Sequence, residues 1–322
     1  MLKPHDNTTQ QHRARNVCTL PSRLCASLLR YLNPAQIRLE EPMSKYTYLR
    51  IGGPADVVVF PRAIHEVQNV VRTAYEFGVP YTVLGNGSNI LVRDRGVRGI
   101  VIMTRDLQRM RPCGNMVIAQ AGVPVVALVR LAETQSLGGL EFACGIPGTV
   151  GGAVRMNAGA FGGQMSDVLS HVIICTRRGR LQKLSNSELG FKYRDSAMKD
   201  NDGIVVEATY KLSPSNKDAL TAKIHEYTRH RKATQPLDYP SCGSVFKRPP
   251  GDFAGRLISA CGLRGKRIGG AQVSTKHAGF IINVGAATAS DYLRLIQLVQ
   301  AEVQRQCGVE LEPEIQIVGE DD

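Results

Sequence analysis

Residues 55–89 read ADVVVFPRAIHEVQNVVRTAYEFGVPYTVLGNGSN. The apolar run Ala55–Phe60 is short enough for a strand and stops at Pro61. From there Ile64, Val67, Val70, Val71, Ala74 and Phe77 recur at helical spacing, and Gly78 supplies the stop. Tyr81–Leu84 is a second buried strand, and Ile90–Val92 and Ile100–Met103 read as further ones. Strand, helix and strand in this order mark an α/β subdomain of about 60 residues. Between them lies Gly85-Asn86-Gly87-Ser88-Asn89. Such a loop is either an ordinary turn or a nest whose backbone N–H groups approach a phosphate.

Downstream, Met116–Ala121 is a strand and Val123–Gln135 a helix with Pro124 in its first turn. Seven glycines then fall within Gly145–Gly163. That density is costly in backbone entropy and points to backbone packed against a flat or phosphorylated ligand. It is neither a Walker motif nor a dinucleotide fingerprint, because the Gly-Lys-Ser/Thr and the spaced acid are missing. Strands are expected near 171–176 and 204–212, followed by a turn-rich boundary at Ser213–Asn216. Beyond it come a helix over 217–232, a loop or hairpin over 235–250 and a short helix over 252–261 capped by Asp252. A strand over 280–283, a helix over 290–306 and a last strand over 314–318 complete the chain.

The 322 residues carry 40 Lys+Arg against 28 Asp+Glu, a formal net charge of +12. Hydrophobic residues make up 43%, which excludes a wholly disordered chain, and no apolar run is long enough to span a membrane. Five of the twelve charges fall in residues 1–38, where six basic residues face Asp6 alone. Met1–Asn16 reads as a disordered tail and Cys18–Leu32 as an amphipathic helix. An Arg-rich, acid-poor leader can be a transit peptide or an overlong gene start. The other basic clusters are either solvated surface or several cations converging on one anion. Aromatics are not interleaved with them as base-stacking platforms, so nucleic acid is not expected. Eight cysteines without a CxxC pair read as reduced thiols of a cytoplasmic protein, with no metal site.

Three short motifs carry chemistry-bearing side chains: Tyr193-Arg194-Asp195-Ser196, Ser241-Cys242-Gly243-Ser244 before Lys247-Arg248, and Leu311-Glu312-Pro313-Glu314. Alone, the first is a turn with an ion pair, and the last is a solvated carboxylate pair. Ser244 lacks the neighbouring His and Asp of a hydrolase.

In order along the chain stand TYLRIGGPAD (47–56), LGNGSNILV (84–92), GIPGTVGGAVRMNAGAFGG (145–163), YRDS (193–196), QPLDYPSCGSVFKRPPGDFAG (235–255), LRGKRIGGAQVSTKHAGFIIN (263–283) and LEPEIQIVG (311–319). Over 47–319 the sequence resembles the UDP-N-acetylenolpyruvoylglucosamine reductase family, in its shorter type II form. The resemblance implies an α+β fold. It comprises a two-subdomain FAD-binding unit of the vanillyl-alcohol oxidase (PCMH) type and a C-terminal α+β substrate-binding domain. The expected division is an N-terminal extension to 40, FAD-binding subdomains at 41–105 and 106–215, and a UDP-sugar domain at 216–322. Its last strand is expected to return to the FAD unit.

The implied activity is reduction of enolpyruvyl-UDP-GlcNAc to UDP-N-acetylmuramate through bound FAD, with NADPH as co-substrate. It also implies a catalytic set of Arg194, Ser244 and Glu314. Cofactor contacts are expected at Gly85, Asn86, Gly87, Ser88, Asn89, Gly145, Gly148, Thr149, Gly152 and Asn157. Substrate contacts are expected at Tyr193, Arg231, Arg248, Lys276 and His277. Lys247 is a candidate helper for Ser244. The partner is the UDP-sugar, with no nucleic acid and no membrane insertion, and the protein is expected to be a monomer or weak dimer. Two rival readings are an oxidase using O₂ on the same scaffold and a non-enzymatic RNA-binding module suggested by the basic charge.

Overall fold

The computed structural model describes residues 19–198 and 203–320. The expected tail, Met1–Asn16, and Cys18 lie outside the described residues. Helix α1 spans Thr19–Leu28, and Leu24, Leu28 and Leu32 are buried while Leu29 is exposed. Helix α2 spans Ile64–Phe77 and turns its Val67, Val70, Val71 and Ala74 inward. Gly78 closes it in the left-handed conformation, φ 63°.

The first sheet runs in the order 37–42, 54–59, 97–103, 81–84. Two of its pairings show how the 55–89 pattern is used: 54–59 and 81–84 both lie parallel to 97–103. Parallel strands are covered on both faces, which is why they read as unbroken apolar runs. Val57, Val59, Ile100 and Ile102 pack against α1 and α2, while Val58, Val101 and Met103 pack on the opposite side with Met43 and Leu84.

Strand Ile37–Pro42 pairs antiparallel with 54–59. It crosses the boundary expected at residue 40, so residues 19–40 are part of the first folded layer. All its residues are exposed or half-buried, which hides it from a search for buried apolar runs.

A second, antiparallel sheet has the order 181–185, 169–175, 204–211, 116–120, 110–113. Helix α3 (Val125–Thr134) and helix α4 (Val150–Arg155) pack their apolar residues on it. Helix α4 lies inside the glycine-rich stretch. A β-carbon on Gly151 would stand 2.9 Å from that of Ala121, so this glycine serves close packing of helix on strand. Part of the glycine density is therefore structural.

Helix α5 (Lys217–Thr234) follows its N-cap, Asn216. Its Leu220, Ile224 and Tyr227 pack on the second sheet's core, so the expected boundary before 216 separates α5 from the layer it rests on.

The third sheet has the order 241–244, 280–283, 271–273, 267–268. Helix α6 (Ala254–Ala260) and helix α7 (Ala289–Cys307) pack against it, and their core takes in Leu49, Ile51 and Leu91. Phe253, not Asp252, is the N-cap of α6. Asp252 stands one residue too early: it accepts from the Phe253 N–H and pairs with Arg256. The last strand, Gln316–Val318, pairs in parallel with Ile90–Val92 of the first layer. Among the described residues no helix is long and apolar enough to cross a membrane, and no group of His, Cys, Asp and Glu could hold a metal.

Candidate active site

The three layers meet around a cleft of about 1740 Å³. Two turns form one wall. Asn86 donates from Nδ2 to the Tyr48 hydroxyl (3.1 Å) and to the Pro147 carbonyl (2.9 Å), stitching the 85–89 loop to the glycine-rich segment. A β-carbon on Gly85 would stand 2.3 Å from Thr149 Oγ1, so the loops touch there. Gly87 has φ 62°, and its β-carbon would strike the Tyr46 carbonyl at 2.2 Å. Gly85, Asn86, Gly87, Ser88, Asn89, Gly145, Gly148, Thr149 and Gly152 all line the cleft.

Asn157 does not. It is enclosed, and its side chain donates to Gln164 Oε1 and the Lys192 carbonyl and accepts from the Ser166 N–H. Its φ of 42° is one that asparagine tolerates. It supports the Arg194 turn from beneath.

That turn is closed by reciprocal backbone bonds between Lys192 and Asp195 (3.0 and 3.2 Å). Arg194 sits in it with φ 54°. Its Nε donates to Glu314 Oε1 (3.2 Å), its Nη2 donates to the Gly159 carbonyl (2.6 Å), and its guanidinium lies 4.9 Å from the Tyr193 ring centre. Arg194 and Glu314 side chains are 18% and 17% exposed, so the pair is shielded yet reachable from the cleft.

The backbone brings Ser244 beside this pair. Glu314 donates its N–H to the Val245 carbonyl (2.7 Å), Phe246 bridges Pro313, and Lys247 donates its N–H to the Glu312 carbonyl (2.8 Å). The 245–247 segment thus zips along 312–314. Ser244 precedes it, next to Gly243 at φ 80° and opposite Phe280. Asn89 Nδ2 donates to the Glu314 carbonyl (3.2 Å) from the opposite wall. The two carboxylates of the LEPE motif part: Glu312 goes outward to Lys247, and Glu314 goes into the cleft. Lys247 is occupied by that pair and does not line the cleft, so it is not a helper for Ser244.

Tyr193, Arg231, Arg248, Lys276 and His277 line the same cleft. Arg248 lies 3.9 Å from the Phe253 ring centre. Lys276 Nζ donates to the Lys232 carbonyl (2.8 Å) in the last turn of α5, where a cation suits the exposed carbonyls. His277 accepts the Gly279 N–H on Nδ1 (3.2 Å). Burial, with Arg264 nearby, holds its pKa below the ordinary value. Arg231 is pushed below the usual guanidinium value by burial. Sequence reading passed over Tyr48, Arg50 and Arg264, which also line the cleft. The first two fall inside the TYLRIGGPAD block, which was their signal.

Residues 235–318 match the C-terminal domain family of UDP-N-acetylenolpyruvoylglucosamine reductase, and residues 55–185 match an FAD binding domain family. A UDP-N-acetylenolpyruvoylglucosamine reductase of Listeria monocytogenes is 51% identical over 285 residues, covering 88% of this chain and 96% of the relative. One from Geobacillus kaustophilus is 51% identical over 282 residues, covering 88% and 93%. The chain belongs to the UDP-N-acetylenolpyruvoylglucosamine reductase family. The crystal structure of the Thermus caldophilus reductase superposes with a TM-score of 0.76 at 38% identity, covering 87% of this chain and 99% of that one. The grass-pollen glucose dehydrogenase Phl p 4.0202 shares the fold over 61% of this chain and 44% of its own, at TM-score 0.50 and 14% identity. The fold is that of the reductase family, with its two-subdomain FAD unit and C-terminal domain.

FAD is the family's cofactor, and the residues present fit it. Thr149 Oγ1, at the contact with the Gly85 turn, is a buried polar atom with no hydrogen-bond partner among the described residues. A buried hydroxyl of this kind calls for a partner. It stands beside glycine turns that bring backbone N–H groups to the cleft surface, a setting suited to a diphosphate and a flavin edge.

Proposed function

We propose that the cleft reduces the enolpyruvyl ether of UDP-N-acetylenolpyruvoylglucosamine to UDP-N-acetylmuramate, at the expense of NADPH, as a step of peptidoglycan precursor synthesis. The observation that carries this reading is the arrival of Arg194, Ser244 and Glu314, from three distant segments, in one cleft beside the glycine loops. FAD, when bound, would supply the hydride chemistry at the methylene carbon, with NADPH as the reductant. The loops at 85–89 and 145–152 would hold that cofactor.

The chain's own residues do the rest. Hydride arrival at the methylene carbon sends negative charge toward the substrate carboxylate. Arg194, held by the Gly159 carbonyl and Glu314, offers its guanidinium to that carboxylate, and Glu314 in its protonated form would donate a hydrogen bond to it. Such preorganised charge is the largest common source of rate. The substrate's second carbon then takes a proton from the Ser244 hydroxyl, leaving a lactyl ether. Arg231, Arg248 and Lys276 supply positive charge for the diphosphate, and Tyr193 flanks the carboxylate site. The seven described cysteines are free thiols, which supports a cytoplasmic setting.

The test is anaerobic. Yellow FAD-loaded protein should bleach on NADPH and recover its colour on adding the enolpyruvyl substrate, with slow recovery in air. Recovery in air as fast as with substrate would point to an oxidase and overturn the reading.

A further inference from the structure

Between the glycine loops and the Arg194 turn stands a two-residue hairpin. Gly159 and Ala160 pair with Gln164 and Gly163, and Phe161-Gly162 form the tip. Both tip residues have positive φ, 51° and 85°. This is the turn geometry that favours Asn-Gly, and a side chain such as Phe resists it. Contacts on several sides hold the Phe161 ring in place. It stacks on Tyr227 of α5 at 4.1 Å with an interplanar angle of 3°, and the Arg231 guanidinium lies 5.1 Å from its centre. His230 meets its edge at 5.7 Å. The stem of Arg231 is confined from the other direction, because a β-carbon on Gly145 would stand 2.9 Å from Arg231 Cδ. The same hairpin accepts Arg194 Nη2 on the Gly159 carbonyl at 2.6 Å.

We propose that Phe161 is a positioning residue that fixes Arg231 relative to Arg194. The hairpin holds one guanidinium by a carbonyl and the other by an aromatic face. The spacing of the two cations is then set by three adjacent residues rather than by the distance between α5 and the 192–195 turn. A substrate with a carboxylate at one end and a diphosphate at the other needs that spacing, and the inference rests on the reductase reading above. Phe161 itself does not line the cleft, which separates its role from direct contact.

Phe161→Asn is the informative variant, since asparagine accepts the turn while removing the ring. The measurements are calorimetric affinity of the FAD-loaded protein for UDP-N-acetylmuramate, KM and kcat for the enolpyruvyl substrate, flavin content and Tm. The expected result is product affinity weaker by about tenfold and KM raised to match, the scale of one desolvated cation–π contact. Flavin content and Tm should stay at the wild-type level. Phe161→Tyr should restore affinity to within about twofold. Unchanged affinity and KM in Phe161→Asn overturn the proposal. So does a variant that loses flavin or melts early, since that makes Phe161 a folding residue only. Failure of the wild-type protein to bind UDP-N-acetylmuramate would instead overturn the reductase reading.

Discussion

Arg194 occupies a backbone conformation that a β-carbon disfavours, and it does so in a turn pinned from beneath by Asn157. A left-handed residue other than glycine survives where its surroundings over-determine it, and functional sites are where such strain collects. Ser244 shows the opposite economy: its place follows from a backbone ladder between 245–247 and 312–314. On the proposed role of its hydroxyl as acid of the second half-reaction only, Ser244→Ala should leave flavin reduction by NADPH intact. Flavin reoxidation by the enolpyruvyl substrate should slow by about 10²–10⁴-fold, the scale of a lost general acid. Stopped-flow absorbance of the flavin separates the two steps, and equal reoxidation in variant and wild type sinks the role. At this scale the sequence was legible only through ordered motifs. Glu312 and Glu314 look alike in a list of residues, and nothing local says which one meets Arg194, 120 positions earlier. Asn157 misled because a polar residue in a glycine-rich stretch resembles a ligand contact, whereas its amide is spent on the turn beneath Arg194.

Among the elements, long helices and buried strands were readable, because α2 and α7 bury residues at regular spacing. Helix α4 was not, since glycine is a poor helix former and only its packing on Ala121 and the second sheet makes it helical. The edge strands 37–42 and 181–185 escaped for a related reason, having largely polar or exposed patterns. A latch between distant elements escaped as well. Asp94, after strand 90–92, accepts the Ala289 N–H (2.7 Å) and the Ser290 N–H (2.9 Å) at the start of α7, and the Ser290 hydroxyl (2.6 Å). Burial alone would raise its pKa, but the Ser290 hydroxyl and the two amides outweigh it and hold the carboxyl below its ordinary value. A depressed carboxyl stabilises the fold above its unfolded pKa, about 3.9, and that contribution fades as pH falls through the folded value. Asp94→Ala should therefore cost about 1–2 kcal/mol at pH 7, the scale of a lost helix cap. Urea unfolding of the FAD-loaded protein should show that gap constant from pH 7 to 5 and narrowing below about pH 4. Equal unfolding midpoints at pH 7 would show that α7 needs no help from the first layer.

Over the whole molecule the surplus of positive charge has a location. Eight Arg and Lys residues line the cleft against Asp238 and Glu314. The Arg194–Glu314 and Arg256–Asp252 pairs neutralise two of the eight. Arg50, Arg231, Arg248, Arg264 and Lys276 also line the space proposed for a substrate with a diphosphate and a carboxylate. A concave, low-dielectric wall of one sign focuses field and raises the encounter rate of an oppositely charged small molecule. A polyanion would need the charge spread along a convex or extended face instead. Five of the twelve net charges lie in residues 1–38, far from this wall in sequence, and they provide the control. Raising ionic strength from about 0.02 M to 0.3 M shortens the screening length from about 20 Å to about 6 Å. Across that range kcat/KM for the UDP-sugar should fall several-fold while kcat at saturation changes little. Deleting residues 1–18 removes Lys3, Arg13, Arg15 and Asp6, a net two of those five charges, and should leave the salt slope unaltered. A flat kcat/KM would mean that the cleft cations act only on bound substrate. A slope abolished by the deletion would place the steering charge in the N-terminal segment rather than in the wall.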